Sequence, residues 1–297
     1  MRRAAGTAIA VAALMCAVAG CTPVKTETTG ALAVGDDVPL TGEIAAIAQM
    51  VPEDVAEDGA LTVVTSDGMA PLNVPDTATG EVEGFNPDLA RQVGAVLGLE
   101  VDIHAVTLDQ IIPGIEAGRY ETTFSNMSIE PERLEVLDFV QYYFSSTGLG
   151  VLAGNPAGVD PERLCGKTVG VATGSFQMTK VLPDLSEECR SEGLPPVDVS
   201  AFPDQQKAAL ALLSGRVDAT SMDGPVLAFA SAQEPRIEEG ARMTEGSNVG
   251  IGVPKDTGMA EAMSAAVQEL MDNGVYERLL DKYGMRELGI DEAKVER

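Results

Sequence analysis

The sequence predicts an α/β fold arranged as two lobes, and three observations carry that prediction. First, β-branched runs alternate with helical runs: Leu61-Thr-Val-Val-Thr65, for example, is followed by Leu89, Val93, Val96 and Leu97 at helical spacing. Such alternation indicates parallel strands covered by helices on both faces. Second, a unit of the same kind begins again after about Pro161. Third, Asp67, Ser125, Gly174-Ser175 and Asp223 all fall at the ends of predicted strands. Ligands of open α/β sheets bind outside the carboxyl ends of the strands, so a cleft between the lobes is expected there.

The elements follow in order. Residues 1–20 have the layout of an export signal. Arg2 and Arg3 form a charged start, Ala8 to Ala19 is an apolar stretch too short to span a bilayer, and Val18-Ala19-Gly20-Cys21 closes it. The closing tetrapeptide resembles a bacterial lipobox, which implies cleavage before Cys21 and lipidation of that residue. Residues 21–59 are expected to be a tether with a short helix near Ile44 to Met50, and the globular body to start at Ala60. Strands are expected at Leu61–Thr65, Val101–Val106, Thr122–Ser125, Phe139–Phe144, Leu149–Ala153, Lys167–Thr173, Val197–Phe202, Val217–Met222 and Asn248–Val253. Helices are expected at Pro87–Leu97, Leu108–Ala117, Pro161–Leu164, Phe176–Leu185, Asp204–Leu213 and Pro225–Ala232, with one or two more over Met259–Tyr283.

Charge and cysteine content narrow the possibilities. Of 297 residues, 46 are acidic and 20 basic, a net charge of −26, which argues against a general nucleic-acid surface. Loss of Arg2 and Arg3 with the signal would leave 46 acids against 18 bases, or −28. Cys16 departs with the signal and Cys21 is the anchor, leaving Cys165 and Cys189 as an even pair in an exported chain, where thiols oxidise. A disulfide between them is expected. Two cysteines and the single His104 do not suggest a metal site, and no cofactor is indicated.

The most informative run is Phe124-Ser-Asn-Met-Ser-Ile-Glu-Pro-Glu-Arg133, continuing to Asp138-Phe-Val-Gln-Tyr142. A strand ends there in small polar residues, Pro131 suits the first position of a helix, and one arginine follows. Amides and hydroxyls beside a helix start and a fixed cation make an anion receptor. The same run also fits an ordinary strand–turn–helix with a solvated arginine.

Gly84-Phe-Asn-Pro-Asp-Leu-Ala90, Ser125 to Val140, Leu164 to Ser175, Ser214-Gly-Arg-Val-Asp-Ala219, Asp223 and Gly250-Ile-Gly-Val-Pro-Lys255 form an ordered set. Together they resemble the family 3 extracellular solute-binding proteins of amino-acid ABC importers, over about residues 50–286. The resemblance implies a two-lobed periplasmic-binding-protein-like (type II) fold with two parallel-type sheets and two hinge crossovers, near Thr147–Ala153 and Glu245–Val249. Lobe 1 would comprise residues 60–149 and 247–297, and lobe 2 residues 150–246. It implies a monomeric, non-catalytic receptor that holds an amino acid or related zwitterion and delivers it to ABC permease transmembrane subunits, outside the cytoplasm and lipid-anchored at Cys21. It further implies Arg133 as clamp for the ligand carboxylate, Asn126, Ser128 and Ser125 as accessory contacts, amides at Ser175 as further donors, and Asp223 as partner of the ammonium. Asp223 could equally cap a helix, and Asp67 could either meet a cationic side chain or cap the turn at Gly68.

The chain departs from the family pattern at Glu130, where threonine is usual, at Leu72 and Leu108, where Phe and Trp are common, and at Glu121, where Asp is usual. These departures bear on which ligand is bound. Three rival readings stand beside this one: a cyclohexadienyl-dehydratase-like enzyme on the same fold, a ligand-sensing lipoprotein, and a structural surface lipoprotein with a collapsed cleft. Nothing in the sequence pairs a nucleophile with a base, which weighs against the enzyme.

Overall fold

The computed structural model describes residues 37–76, 79–243 and 246–297. The expected export signal, Cys21, the start of the tether and Glu245 of the second expected crossover lie outside the described residues. Among the described residues thirteen strands run in chain order: β1 Ala60–Ser66, β2 Val74–Pro75, β3 Val82–Glu83, β4 Glu100–Val106, β5 Thr122–Ser128, β6 Leu137–Ser145, β7 Thr147–Leu152, β8 Thr168–Ala172, β9 Asp198–Phe202, β10 Ala219–Asp223, β11 Ile237–Arg242, β12 Ser247–Pro254 and β13 Val295–Glu296. One sheet has the order β13-β6-β12-β5-β1-β4 and a second the order β11-β7-β10-β8-β9, while β2 and β3 form a small hairpin.

The two sheets are mixed, where parallel sheets were expected. β1 runs parallel to β4 and β5, and β8 runs parallel to β9 and β10. β12 is antiparallel to β5 and β6, and β7 is antiparallel to β10 and β11. The reason is connectivity. The chain passes from β6 in the first sheet to β7 in the second through Ser146 alone, and returns between β11 and β12. Each passage carries the chain from one sheet to the other, and β7 and β12, the strands that follow the passages, are the ones that run against their neighbours.

Sequence dictates the helices as much as the strands. The helix Phe85–Leu97 buries Phe85, Leu89, Val93, Val96 and Leu97 on one face and ends at Gly98, whose φ of 72° suits a left-handed cap. The chain enters it through Gly84, where φ is 129° and a Cβ would stand 2.4 Å from the Leu72 carbonyl oxygen. The C-terminal run divides into helices Met259–Asp272 and Val275–Lys282, separated at Gly274. The expected helix at Pro161–Leu164 is instead a turn bridged between Asp160 and Arg163. The expected helix at Phe176–Leu185 starts as a π-helical turn, Gln177–Val181, before the α-helix Leu182–Ser191.

The body reaches upstream of Ala60. Thr41 donates from N and Oγ1 to Gln92 Oε1, at 2.8 and 2.9 Å, and Gln92 Nε2 donates to the Pro39 carbonyl at 2.9 Å. Ile44 N donates to the Val96 carbonyl, and Val51 and Val55 are buried in the main core. Cys165 and Cys189 form the expected disulfide, which links the approach to β8 with the helix Leu182–Ser191.

Candidate functional site

The site begins with an aromatic cluster in the first lobe. Phe85, Phe124, Tyr142 and Tyr143 are fully buried, with the two tyrosine rings 4.9 Å apart and edge-on. The Tyr142 hydroxyl donates to Asn86 Oδ1 at 2.8 Å and accepts from Asn126 N at 3.1 Å. Asn126 sits within β5 at φ 56°, a left-handed conformation that Asn tolerates better than most residues. Bound to a rigid phenol, this strained residue aims its side chain away from the sheet and toward the second lobe.

There it meets Asp223 at the end of β10. Asn126 Nδ2 donates to Asp223 Oδ2, and Gln205 Nε2 donates to the same oxygen at 2.6 Å. Gln177 Nε2 donates to Oδ1, also at 2.6 Å, and Asp223 N returns a bond to Gln205 Oε1 at 2.9 Å. Three amides drawn from both lobes therefore hold one carboxylate. Burial raises the Asp223 carboxyl above its ordinary value of 3.8, and the hydrogen bonds and Arg133 oppose that shift. Asn126 Oδ1 is buried in this cluster without a hydrogen-bond partner among the described residues.

Arg133 lies on the short helix Pro131–Leu134. Its Nη1 is 2.7 Å from Glu130 Oε1 and donates to the Ser128 carbonyl at 2.8 Å, while Nη2 reaches the Gly174 carbonyl across the lobes at 3.2 Å. The Arg133 and Glu130 side chains are only 11% and 12% exposed, so this is a largely dehydrated pair. Burial lowers the guanidinium and raises the Glu130 carboxyl, and each partner offsets the shift of the other. Arginine remains charged at any working pH.

A further pair of carboxylates lies where Gly68 meets the second lobe. Asp67 follows β1, and its carboxyl is raised by burial and by Asp204, against an opposing effect of Lys207. Asp204 caps the helix Gln205–Leu213 by accepting from Lys207 N at 2.8 Å, and it pairs with the Lys207 ammonium. Gly68 joins the lobes: Gln206 N donates to its carbonyl at 3.2 Å, and a Cβ there would lie 2.5 Å from Asp204 Cγ.

The residues singled out from sequence separate into two groups. Asn126, Arg133 and Asp223 converge, together with the Ser128 carbonyl and the Gly174–Ser175 loop, while Asp67 stands with Asp204 where Gly68 meets the second lobe. The Ser125 hydroxyl bonds Thr123 Oγ1 inside the first sheet, and the Ser128 hydroxyl accepts from Ser247. Ser175 Oγ donates to the Ala172 carbonyl and accepts from Met178 N, so its hydroxyl is engaged in starting the next helical turn. His104 is on an exposed strand face beside Asp102. Gln177, Gln205, Asp204 and Tyr142 were not anticipated. Gln177 and Gln205 each open a helix after a second-lobe strand, the position that marked Ser175, yet an uncharged amide gives no signal of its own.

Residues 61–286 match the profile of the bacterial extracellular solute-binding proteins, family 3. The chain belongs to that family. Members capture a small solute outside the cytoplasm. The arginine-binding protein ArgT of Corynebacterium glutamicum is 32% identical over 84% of this chain and 82% of its own length. The lysine/arginine/ornithine-binding periplasmic protein of Escherichia coli K12 is 28% identical over 74% of this chain and 85% of its own. Among solved structures, an ancestral arginine-binding protein bound to arginine superposes with a TM-score of 0.68 at 28% identity, covering 76% of this chain and 98% of its own. The ancestral amino-acid-binding protein AncCDT-1, a precursor of cyclohexadienyl dehydratase, shares the fold at a TM-score of 0.66 and 24% identity, covering 78% of this chain and 98% of its own.

Proposed function

We propose that this family member captures a basic amino acid, L-arginine foremost, and delivers it to the transmembrane subunits of an ABC permease, without catalysis. The observation that carries the reading is the concentration of fixed carboxylates at the cleft. Asp223 is held by three amides, and Asp67 and Asp204 stand together where Gly68 meets the helix Gln205–Leu213. A zwitterion's ammonium is suited to Asp223, with the buried Asn126 Oδ1 as a second acceptor. Its carboxylate is suited to Arg133 and the loop at Ser175, and a cationic side chain to Asp67 and Asp204. Ser128 contributes through its backbone, and Ser125 supports β5 from within. The names of the C. glutamicum and E. coli relatives favour the same ligand class. We further propose that Cys21 is lipidated and holds the protein at the outer face of the cell membrane.

Isothermal titration with L-arginine, L-lysine, L-histidine and L-glutamine tests the reading. Saturable binding of a basic amino acid is expected, with Arg133→Ala weakening it by about 100-fold or more, roughly 2.7 kcal/mol. Full-affinity binding by Arg133→Ala, or no basic amino acid bound by the unaltered protein, overturns the assignment.

A further inference from the structure

Glu130 is the departure from the family pattern that the site geometry makes consequential. A threonine there could cap the helix at Pro131, but Glu130, in the capping position with φ −120° and ψ 147°, makes no side-chain cap bond. Its side chain turns instead onto Arg133, within 2.7 Å, in a pair that is nearly nine-tenths buried. Thr179 Oγ1 of the second lobe stands 3.5 Å from the other carboxylate oxygen, so the pair lies at the seam of the cleft.

We propose that Glu130 determines the ligand class of this cleft. Its carboxylate shares the Arg133 guanidinium with an incoming α-carboxylate, so the cleft accepts cationic guanidino compounds lacking that carboxylate, with agmatine as the type. The inference rests on the basic-ligand reading above. Charge counting supports it. Relative to threonine, Glu130 adds one negative charge beside Arg133, and agmatine differs from L-arginine by the loss of one negative charge, its carboxylate. One protein carboxylate thus replaces one ligand carboxylate. A buried guanidinium left without an anion is strongly unfavourable. Glu130 satisfies Arg133 from within the chain, so a ligand without a carboxylate leaves no unpaired charge behind.

Calorimetric titration of the unaltered protein, Glu130→Thr and Glu130→Gln with L-arginine and with agmatine tests the proposal, with thermal melts showing that each variant folds. The unaltered protein is expected to bind the two compounds within about ten-fold of one another. In Glu130→Thr, L-arginine should tighten and agmatine weaken, moving the ratio of their dissociation constants by about 100-fold, with Glu130→Gln moving it in the same direction. An unchanged ratio in both variants overturns the role of Glu130. Binding of L-arginine with no binding of agmatine overturns it too, and leaves the basic-ligand reading standing. Binding of neither compound by the unaltered protein overturns both readings together.

Discussion

Burial places the three carboxylates Asp67, Glu130 and Asp223 above their ordinary values, and that sets a sign for the pH dependence. A carboxyl whose folded-state value is raised binds more protons in the folded than in the unfolded chain over the interval between the two values. Its contribution to stability is therefore complete below the unfolded value, near 3.8 for Asp, and is lost as pH rises through the folded one. Ligand-free protein should lose stability from this source as pH rises above about 4. A cationic ligand should raise the melting temperature more near pH 7 than near pH 4.5, because it pairs with the ionised forms. A thermal shift with L-arginine that shrinks as pH rises would contradict this. Asp223 stood out in the sequence as a carboxylate at the end of a predicted strand, while its role toward an ammonium came from the family resemblance alone. Gln177 and Gln205 were not legible, since their importance lies in reaching one carboxylate from two separate helices, a relation only the packing creates.

At the scale of elements, the sequence revealed the strands whose residues are β-branched and buried, and missed those that depend on a neighbour. β11 reads Ile-Glu-Glu-Gly-Ala-Arg, a poor strand former by composition, yet it pairs antiparallel with β7 along a sheet edge, with an irregularity between Glu239 and Ala241. β13 is similarly brief and is held by β6. The mixed sense of the sheets was hidden for a related reason: alternation of helices and strands records local propensity, and the direct step from β6 to β7 through Ser146 leaves no mark in it. The disulfide was legible from cysteine count alone. Its cysteines are 24 residues apart, and on the chain-entropy account closing such a loop stabilises by about 3–4 kcal/mol. Replacing both cysteines with serine should lower the unfolding free energy in guanidinium by about that amount while leaving ligand affinity within a few-fold. A loss under about 1 kcal/mol would indicate that the helix Leu182–Ser191 is fixed by packing alone.

The whole molecule departs from its sequence reading at its start. Residues 38–55 pack against the helix Phe85–Leu97 through Gln92 and Val96, so a protein beginning at Ala60 should melt several degrees lower than one beginning at Val38, by differential scanning calorimetry. Equal melting temperatures would show that these contacts contribute nothing to stability. Cys21→Ser should shift the protein from the membrane fraction to the soluble one after cell fractionation, and an unchanged distribution would refute the anchor. Lys282 ties the start of the described chain to the body. Its ammonium reaches Asp88, on the helix Phe85–Leu97, at 2.8 Å and Asp37 at 3.2 Å, and at the far end of the chain β13 joins the six-stranded sheet. Both ends of the described body thus belong to one lobe. The six-stranded sheet carries both of those ends, and the five-stranded sheet, entered through Ser146 and left between β11 and β12, carries neither.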